Sequence, residues 1–139
     1  MKRGRGVYRF RLNTKGRSVN VSSSAPGFGF EAASKLKLFR CTGPFYFLVP
    51  AGAEAFSIQI QGEIGEPVEA ELIDPAGKVR MKTDYATGVQ VLKAERPKNS
   101  PAEVWSIRIP RAEEDYSIRL GAPLPPLLFT APENVLIRK

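Results

Sequence analysis

Three aromatic rings stand where a sugar can be stacked: Phe28 and Phe30 in Pro26-Gly27-Phe28-Gly29-Phe30, and Tyr85 in Thr83-Asp84-Tyr85-Ala86-Thr87-Gly88. Glycine beside a flat ring permits close approach, and neighbouring hydroxyls answer those of the sugar. The same composition also suits a tight loop that tucks its ring into the core, and both readings stand for each ring. Gln59 and Gln61 recur at alternate positions with Ser57, so two amides and a hydroxyl share one strand face, either a polar binding strip or a solvated surface. Arg9, Arg11, Lys35 and Lys37 also alternate with apolar neighbours and point away from the core. If their two segments share a sheet, they form a basic face suited to phosphates, sulfated sugars or an acidic partner. The plainer reading is that they are charges guarding a sheet edge against aggregation. Nucleic acid is not expected as the partner, because Tyr8 and Phe10 fall on the face opposite the arginines, whereas single-strand-binding sheets interleave rings with cations.

Catalytic machinery is not expected. The chain contains no histidine, which removes the commonest general base and the commonest zinc and copper ligand. No Gly-x-Ser-x-Gly elbow is present, and Glu113-Glu114-Asp115 reads as a solvated turn. Asp74 and Asp84 carry no spacing that would make them a working carboxylate pair. The single cysteine, Cys41, sits in Phe39-Arg40-Cys41-Thr42 and reads as a small buried hydrophobe, with no partner for a disulfide. No metal or cofactor is expected.

These residues must be positioned by a scaffold of short strands. A chain of 139 residues is one domain by size and buries roughly two-thirds of its unfolded surface without staples. Its 42% hydrophobic and 25% charged residues are those of a globular protein. The 12 Gly and 12 Pro fall between short apolar runs, as turns do. Charge is uneven: residues 1–40 hold ten Lys and Arg against the single acid Glu31, while the remainder is slightly acidic. Residues 1–6 read as a flexible basic tail. A signal peptide is not expected there, since Tyr8-Arg9-Phe10-Arg11 follows where an apolar stretch belongs. No run is long enough to span a bilayer, so no membrane insertion is expected.

Alternation predicts strands with Tyr8, Phe10 and Leu12 inward, then Val19 and Val21, then Leu36 and Leu38. Phe45–Val49 is continuously apolar and reads as a central strand covered on both faces. Phe56, Ile58 and Ile60 point inward. Around the turn Asp74-Pro75-Ala76-Gly77, a type I signature, the pattern predicts a hairpin with Leu72 opposite Val79, Ala70 opposite Met81, Glu71 opposite Arg80 and Glu69 opposite Lys82. A second hairpin is predicted with Ile109 opposite Tyr116, Ile107 opposite Ile118 and Trp105 opposite Leu120. Val89–Leu92 reads as a strand, Arg96–Pro101 as an exposed loop, and Leu127–Phe129 and Val135–Ile137 as closing strands. The sum is an all-β, antiparallel, jelly-roll-like β-sandwich of about ten short strands, spanning residues 1–139 as a single domain.

Phe47-Leu48-Val49-Pro50-Ala51-Gly52, the alternating Phe56–Ile60 strand, and Leu72-Ile73-Asp74-Pro75-Ala76-Gly77-Lys78-Val79 resemble the bacterial pre-peptidase C-terminal domain and related galactose-binding-like, jelly-roll accessory modules. The resemblance covers about a third of the chain. It implies a non-catalytic appendage of a larger secreted or cell-surface protein, with carbohydrate binding or packing against neighbouring domains as its task. The alternatives are a structural or protein–protein interaction domain without a small ligand, and polyanion binding through the basic face.

Overall fold

The computed structural model describes residues 28–40 and 42–135, together with Phe10, Arg11, Lys15 and Arg17. Among them the strands are β1 (Phe30–Glu31), β2 (Leu36–Phe39), β3 (Phe45–Val49), β4 (Ala55–Gly62), β5 (Val68–Ile73), β6 (Val79–Lys82), β7 (Val89–Glu95), β8 (Glu103–Ala112), β9 (Asp115–Leu120) and β10 (Leu127–Leu128). Pairing is nested: β5 with β6, β4 with β7, β3 with β8, β2 with β9 and β1 with β10, all antiparallel. The chain is therefore one long hairpin, turning at Asp74–Gly77, that doubles back on itself. Two cross-pairings, β4 with β9 and β5 with β8, then assemble the sheets β2-β9-β4-β7 and β3-β8-β5-β6. This strand order is that of a jelly roll.

Period-two alternation puts one face of each sheet into a shared interior. Phe56, Ile58 and Ile60 of β4, Leu92 of β7 and Tyr116, Ile118 and Leu120 of β9 meet Phe47 and Val49 of β3, Val68, Ala70 and Leu72 of β5, and Trp105, Ile107 and Ile109 of β8; all are buried. Burying each large side chain contributes about 1.5–3 kcal/mol. The Phe56 ring lies between the layers, edge-on to Phe47 at 5.8 Å and to Trp105 at 5.1 Å. Those contacts lock the two sheets face to face.

Several sequence expectations are corrected. The second predicted hairpin does not form, because β8 pairs with β3 and β5 while β9 pairs with β2 and β4. The inward faces of Trp105–Ile109 and Tyr116–Leu120 look at each other across the core instead of lying side by side. The first hairpin forms, but with Glu71 opposite Lys82, Leu72 opposite Met81 and Ile73 opposite Val79, and with an irregularity between Leu72 and Ile73. Gly77 takes a left-handed φ of 81° and its N–H donates to the Asp74 carbonyl, so the turn holds an extra residue that shifts the register. Val79 is consequently exposed, not inward.

Strand β3 lies at the edge of its sheet, not at its centre. Its outward residues are half-covered, with Tyr46 forming a bridge to Phe129 of the returning chain end. Arg96, expected in an exposed loop, is only 8% exposed. Phe10, expected in the core, is 83% exposed and lies outside any strand; the interior between the two sheets is already filled by the nested strands. Val135 is buried but ends a one-turn 3₁₀ segment (Pro132–Asn134) and does not begin a strand. Arg9, Cys41, the tail at 1–6, the strand at Val19–Val21 and residues 136–137 lie outside the described residues.

Candidate functional site

Because Phe56, Ile58 and Ile60 point into the core, Ala55, Ser57, Gln59 and Gln61 must point out of the β2-β9-β4-β7 sheet. The register sets Arg119 of β9 beside Gln59 and Ser117 beside Gln61. On the other flank, Val89, Val91, Lys93 and Glu95 of β7 stand beside Gln61, Gln59, Ser57 and Ala55. Lys37 of β2 lies next to Ser117. Two groups that the sequence presented separately, the glutamine strip and the Lys35/Lys37 pair, thus share one face. They touch directly: Lys35 Nζ donates to Gln61 Oε1 at 2.8 Å.

The face is not flat. A groove of about 320 Å³ is lined by Ala55, Phe56, Ser57, Lys93, Ala94, Glu95 and Ala122. A smaller concavity of about 60 Å³ is lined by Lys35, Gln59, Gln61, Val89, Ser117 and Arg119. Ser57 and Gln59 are successive outward residues of β4, so the two depressions follow one another along the same strand. Small side chains at Ala55, Ser57 and Ala122 leave the first open. Long polar ones ring the second.

One corner is closed by the turn after β4. A Cβ on Gly62 would stand 1.9 Å from the Glu66 carbonyl oxygen, so only glycine lets the backbone fold back here. The fold-back sets the Glu63 carboxylate 3.0 Å from Lys37 Nζ and 3.9 Å from Lys35 Nζ. The Lys37 ammonium, assisted by the Ser117 hydroxyl and by Lys35, holds the Glu63 carboxyl below its ordinary 4.5 against an opposing push from burial. The next residue, Ile64, is 98% exposed and left-handed at φ 52°.

Arg119 and Lys93 differ from these paired lysines. Neither side chain makes a hydrogen bond or ion pair among the described residues. The outer face of the other sheet provides a contrast. There Lys82 Nζ lies 2.7 Å from Glu69 and 3.9 Å from Glu71, Arg108 Nε donates to Glu71 at 2.9 Å, and Arg80 reaches Asp74 at 3.5 Å. That surface is internally neutralised, and the glutamine face is not.

Of the residues singled out from sequence, Gln59, Gln61, Lys35 and Lys37 come together. Arg11 is exposed and outside any strand. Phe28 and Phe30 pack edge to face at 5.4 Å, and Phe30 pairs with Leu128 in the small β1-β10 sheet. Tyr85 is covered by the Arg111 guanidinium, 3.8 Å from its ring centre. None of the three rings lines either concavity. The ring that shares the glutamine face is Phe39, two residues beyond Lys37 on β2, 45% exposed, with the Arg40 guanidinium 5.0 Å from its centre.

Sequence reasoning passed over Arg119, Ser117, Lys93 and Phe39. The outward phase of Arg119 and Ser117 between Tyr116, Ile118 and Leu120 was legible. Their placement beside Gln59 and Gln61 depended on β9 pairing with β4. Among the described residues no three His, Cys, Asp or Glu side chains are grouped to hold a metal ion, and no helix is long and apolar enough to cross a membrane. No protein-family model matches the chain, and no curated protein matches it.

Proposed function

We propose that this domain is a non-catalytic binding module that holds an extended carbohydrate chain across the outer face of the β2-β9-β4-β7 sheet, as an accessory part of a larger protein. The observation that carries the reading is the gathering of Ser57, Gln59, Gln61 and Ser117 on one open face with two successive depressions. Amides offer both donors and acceptors, as a run of sugar hydroxyls requires. Neighbouring strands are about 4.8 Å apart, close to one pyranose unit, so a chain lying across the strands meets a new side chain with each sugar. Phe39 supplies an exposed ring at the β2 edge of this face. The absence of histidine from the sequence and the turn chemistry similar to jelly-roll accessory modules point the same way.

The test is affinity electrophoresis of the 139-residue chain through gels containing neutral or acidic polysaccharides. Retardation that is lost in a Gln59→Ala/Gln61→Ala variant and kept in Lys78→Ala, on the opposite sheet's hairpin, is expected. Equal retardation of all three proteins would refute the assignment of the face.

A second reading, a protein-interaction module, is favoured by the exposure of Val89 (58%) and Val79 (42%) on edge strands β7 and β6. It expects association with a protein through apolar contact that is weakened by Val89→Ser or Val79→Ser and is unchanged in the Gln59→Ala/Gln61→Ala variant.

A further inference from the structure

We infer that the ligand of the glutamine face is an anionic glycan, whose carboxylate or sulfate groups are met by Arg119 with Lys93 and Lys35 on either side. This rests on the reading of that face as a carbohydrate site and names the chemistry of its ligand.

Positive charge is left over on this face. Glu63 neutralises Lys37 at the β2 corner and lies 3.9 Å from Lys35. Arg119 has no anionic partner among the described residues, yet it shares a concavity with Lys35. Glu63 offsets part of the Lys35 charge, but Arg119 adds a second cation to the same depression with only water and counter-ions to balance it, and an arriving anion relieves that potential. Lys93, equally unpartnered, lines the adjoining groove. Its neighbour there, Glu95, stands beside Ala55 at the far end of the groove, away from Gln59.

The three cations run obliquely across the sheet, Lys35 just before β2, Arg119 on β9 and Lys93 on β7. From β2 to β7 is three strand spacings, roughly 14 Å, so the line matches an extended chain with charge at intervals, not one compact anion. Gln59 and Ser57 stand between Arg119 and Lys93 to meet hydroxyls. A guanidinium suits a carboxylate or sulfate better than an ammonium does, because its planar fork donates two parallel hydrogen bonds. The Glu63 carboxylate, 3.0 Å from the Lys37 ammonium, shows the single-point form of a cation–carboxylate contact on the same face.

The deciding measurement compares polygalacturonate with its fully methyl-esterified form, and dextran sulfate with dextran, by titration calorimetry at low and moderate salt. We expect at least tenfold tighter binding to the charged member of one or both pairs, a tenfold loss in Arg119→Ala, partial recovery in Arg119→Lys, and weakening at moderate salt. The carboxylate and sulfate arms identify which group is read. Equal affinity for charged and neutral members, or an unchanged Arg119→Ala, would overturn the inference. If neutral chains then bind in a Gln59-dependent way, the carbohydrate reading survives without it; if no glycan binds, both fall. Equal or tighter binding of single-stranded RNA or of an acidic peptide would also overturn it.

Discussion

At the scale of single residues, the structure holds one side chain in a conformation it does not favour and another in a place where it is indispensable. Ile64 is β-branched, left-handed and 98% exposed, so it accepts backbone strain with no burial in return. Ile64→Asn should therefore stabilise the domain by about 0.5–1 kcal/mol, read as a higher urea midpoint; an unchanged or lower midpoint would show that Ile64 is held by something else. Arg96 is the opposite case. Its guanidinium donates to the carbonyls of Pro50, Ala53 and Pro101, while Nε lies 3.2 Å from Glu103 Oε2 as an ion pair without hydrogen-bond alignment. The same Glu103 oxygen accepts from Trp105 Nε1 at 2.9 Å, which ties the turn after β3 to the core. Arg96→Ala leaves three carbonyls without their donor and a carboxylate without its counter-ion and should cost about 3 kcal/mol. Glu103→Gln keeps an acceptor for Trp105 and should cost about 1 kcal/mol, both read from denaturant unfolding. Nothing in the residue type marked Arg96 as buried; flanked by Pro97 and Lys98, it resembles any loop arginine until the three carbonyls are seen to converge on it.

At the scale of elements, the β5–β6 hairpin is the innermost of the nested pairs and the one whose closure spans the fewest residues. Its turn is well determined: the Asp74 carboxylate accepts from the backbone N–H of Ala76 at 3.0 Å and of Lys78 at 2.9 Å, and Gly77 supplies the left-handed residue. The remaining pairings close progressively longer loops, at increasing entropic cost. If folding starts at this turn, Gly77→Ala, costing about 1–2 kcal/mol, should slow refolding more than it speeds unfolding. Chevron kinetics check this, and a change confined to the unfolding arm would place the nucleus elsewhere. The turn itself was legible in Asp74-Pro75-Ala76-Gly77. The register was not, because opposite charges on both strands are compatible with the two-residue shift at Glu71 and Leu72: Lys82 still reaches Glu69, while Glu71 takes Arg108 and Arg80 takes Asp74.

At the scale of the whole molecule, paired charges set a pH window. Glu63 is held below its ordinary 4.5 chiefly by Lys37, and Asp74 below 3.8 chiefly by the Lys78 backbone N–H. A lowered carboxyl lends stability that is complete above its ordinary value and is lost as pH falls through the lowered one. Lys82 is raised above 10.5, chiefly by its hydrogen bond to Glu69, so its contribution is complete below 10.5 and fades as pH climbs past the raised value. Thermal midpoints should be level between pH 4.5 and 10.5 with respect to these groups and should fall on either side. Glu63→Gln should flatten the acid limb while leaving the alkaline one alone. An acid limb unaltered by that substitution would mean that the Glu63–Lys37 contact contributes little in solution.

Strand existence, inward and outward phase, and the all-β class followed from the sequence alone, because a side chain's side of a strand depends only on its parity and an apolar face needs cover. Gln59, Gln61, Lys35 and Lys37 were recognisable as outward for that reason. Which strands lie next to one another was decided by tertiary structure. An inward-facing strand buries its apolar face equally well beside a neighbour in its own sheet or opposite one across the core, and local pattern does not distinguish the two. That ambiguity turned an expected β8–β9 hairpin into two facing layers, and its resolution is what brought Arg119 beside Gln59.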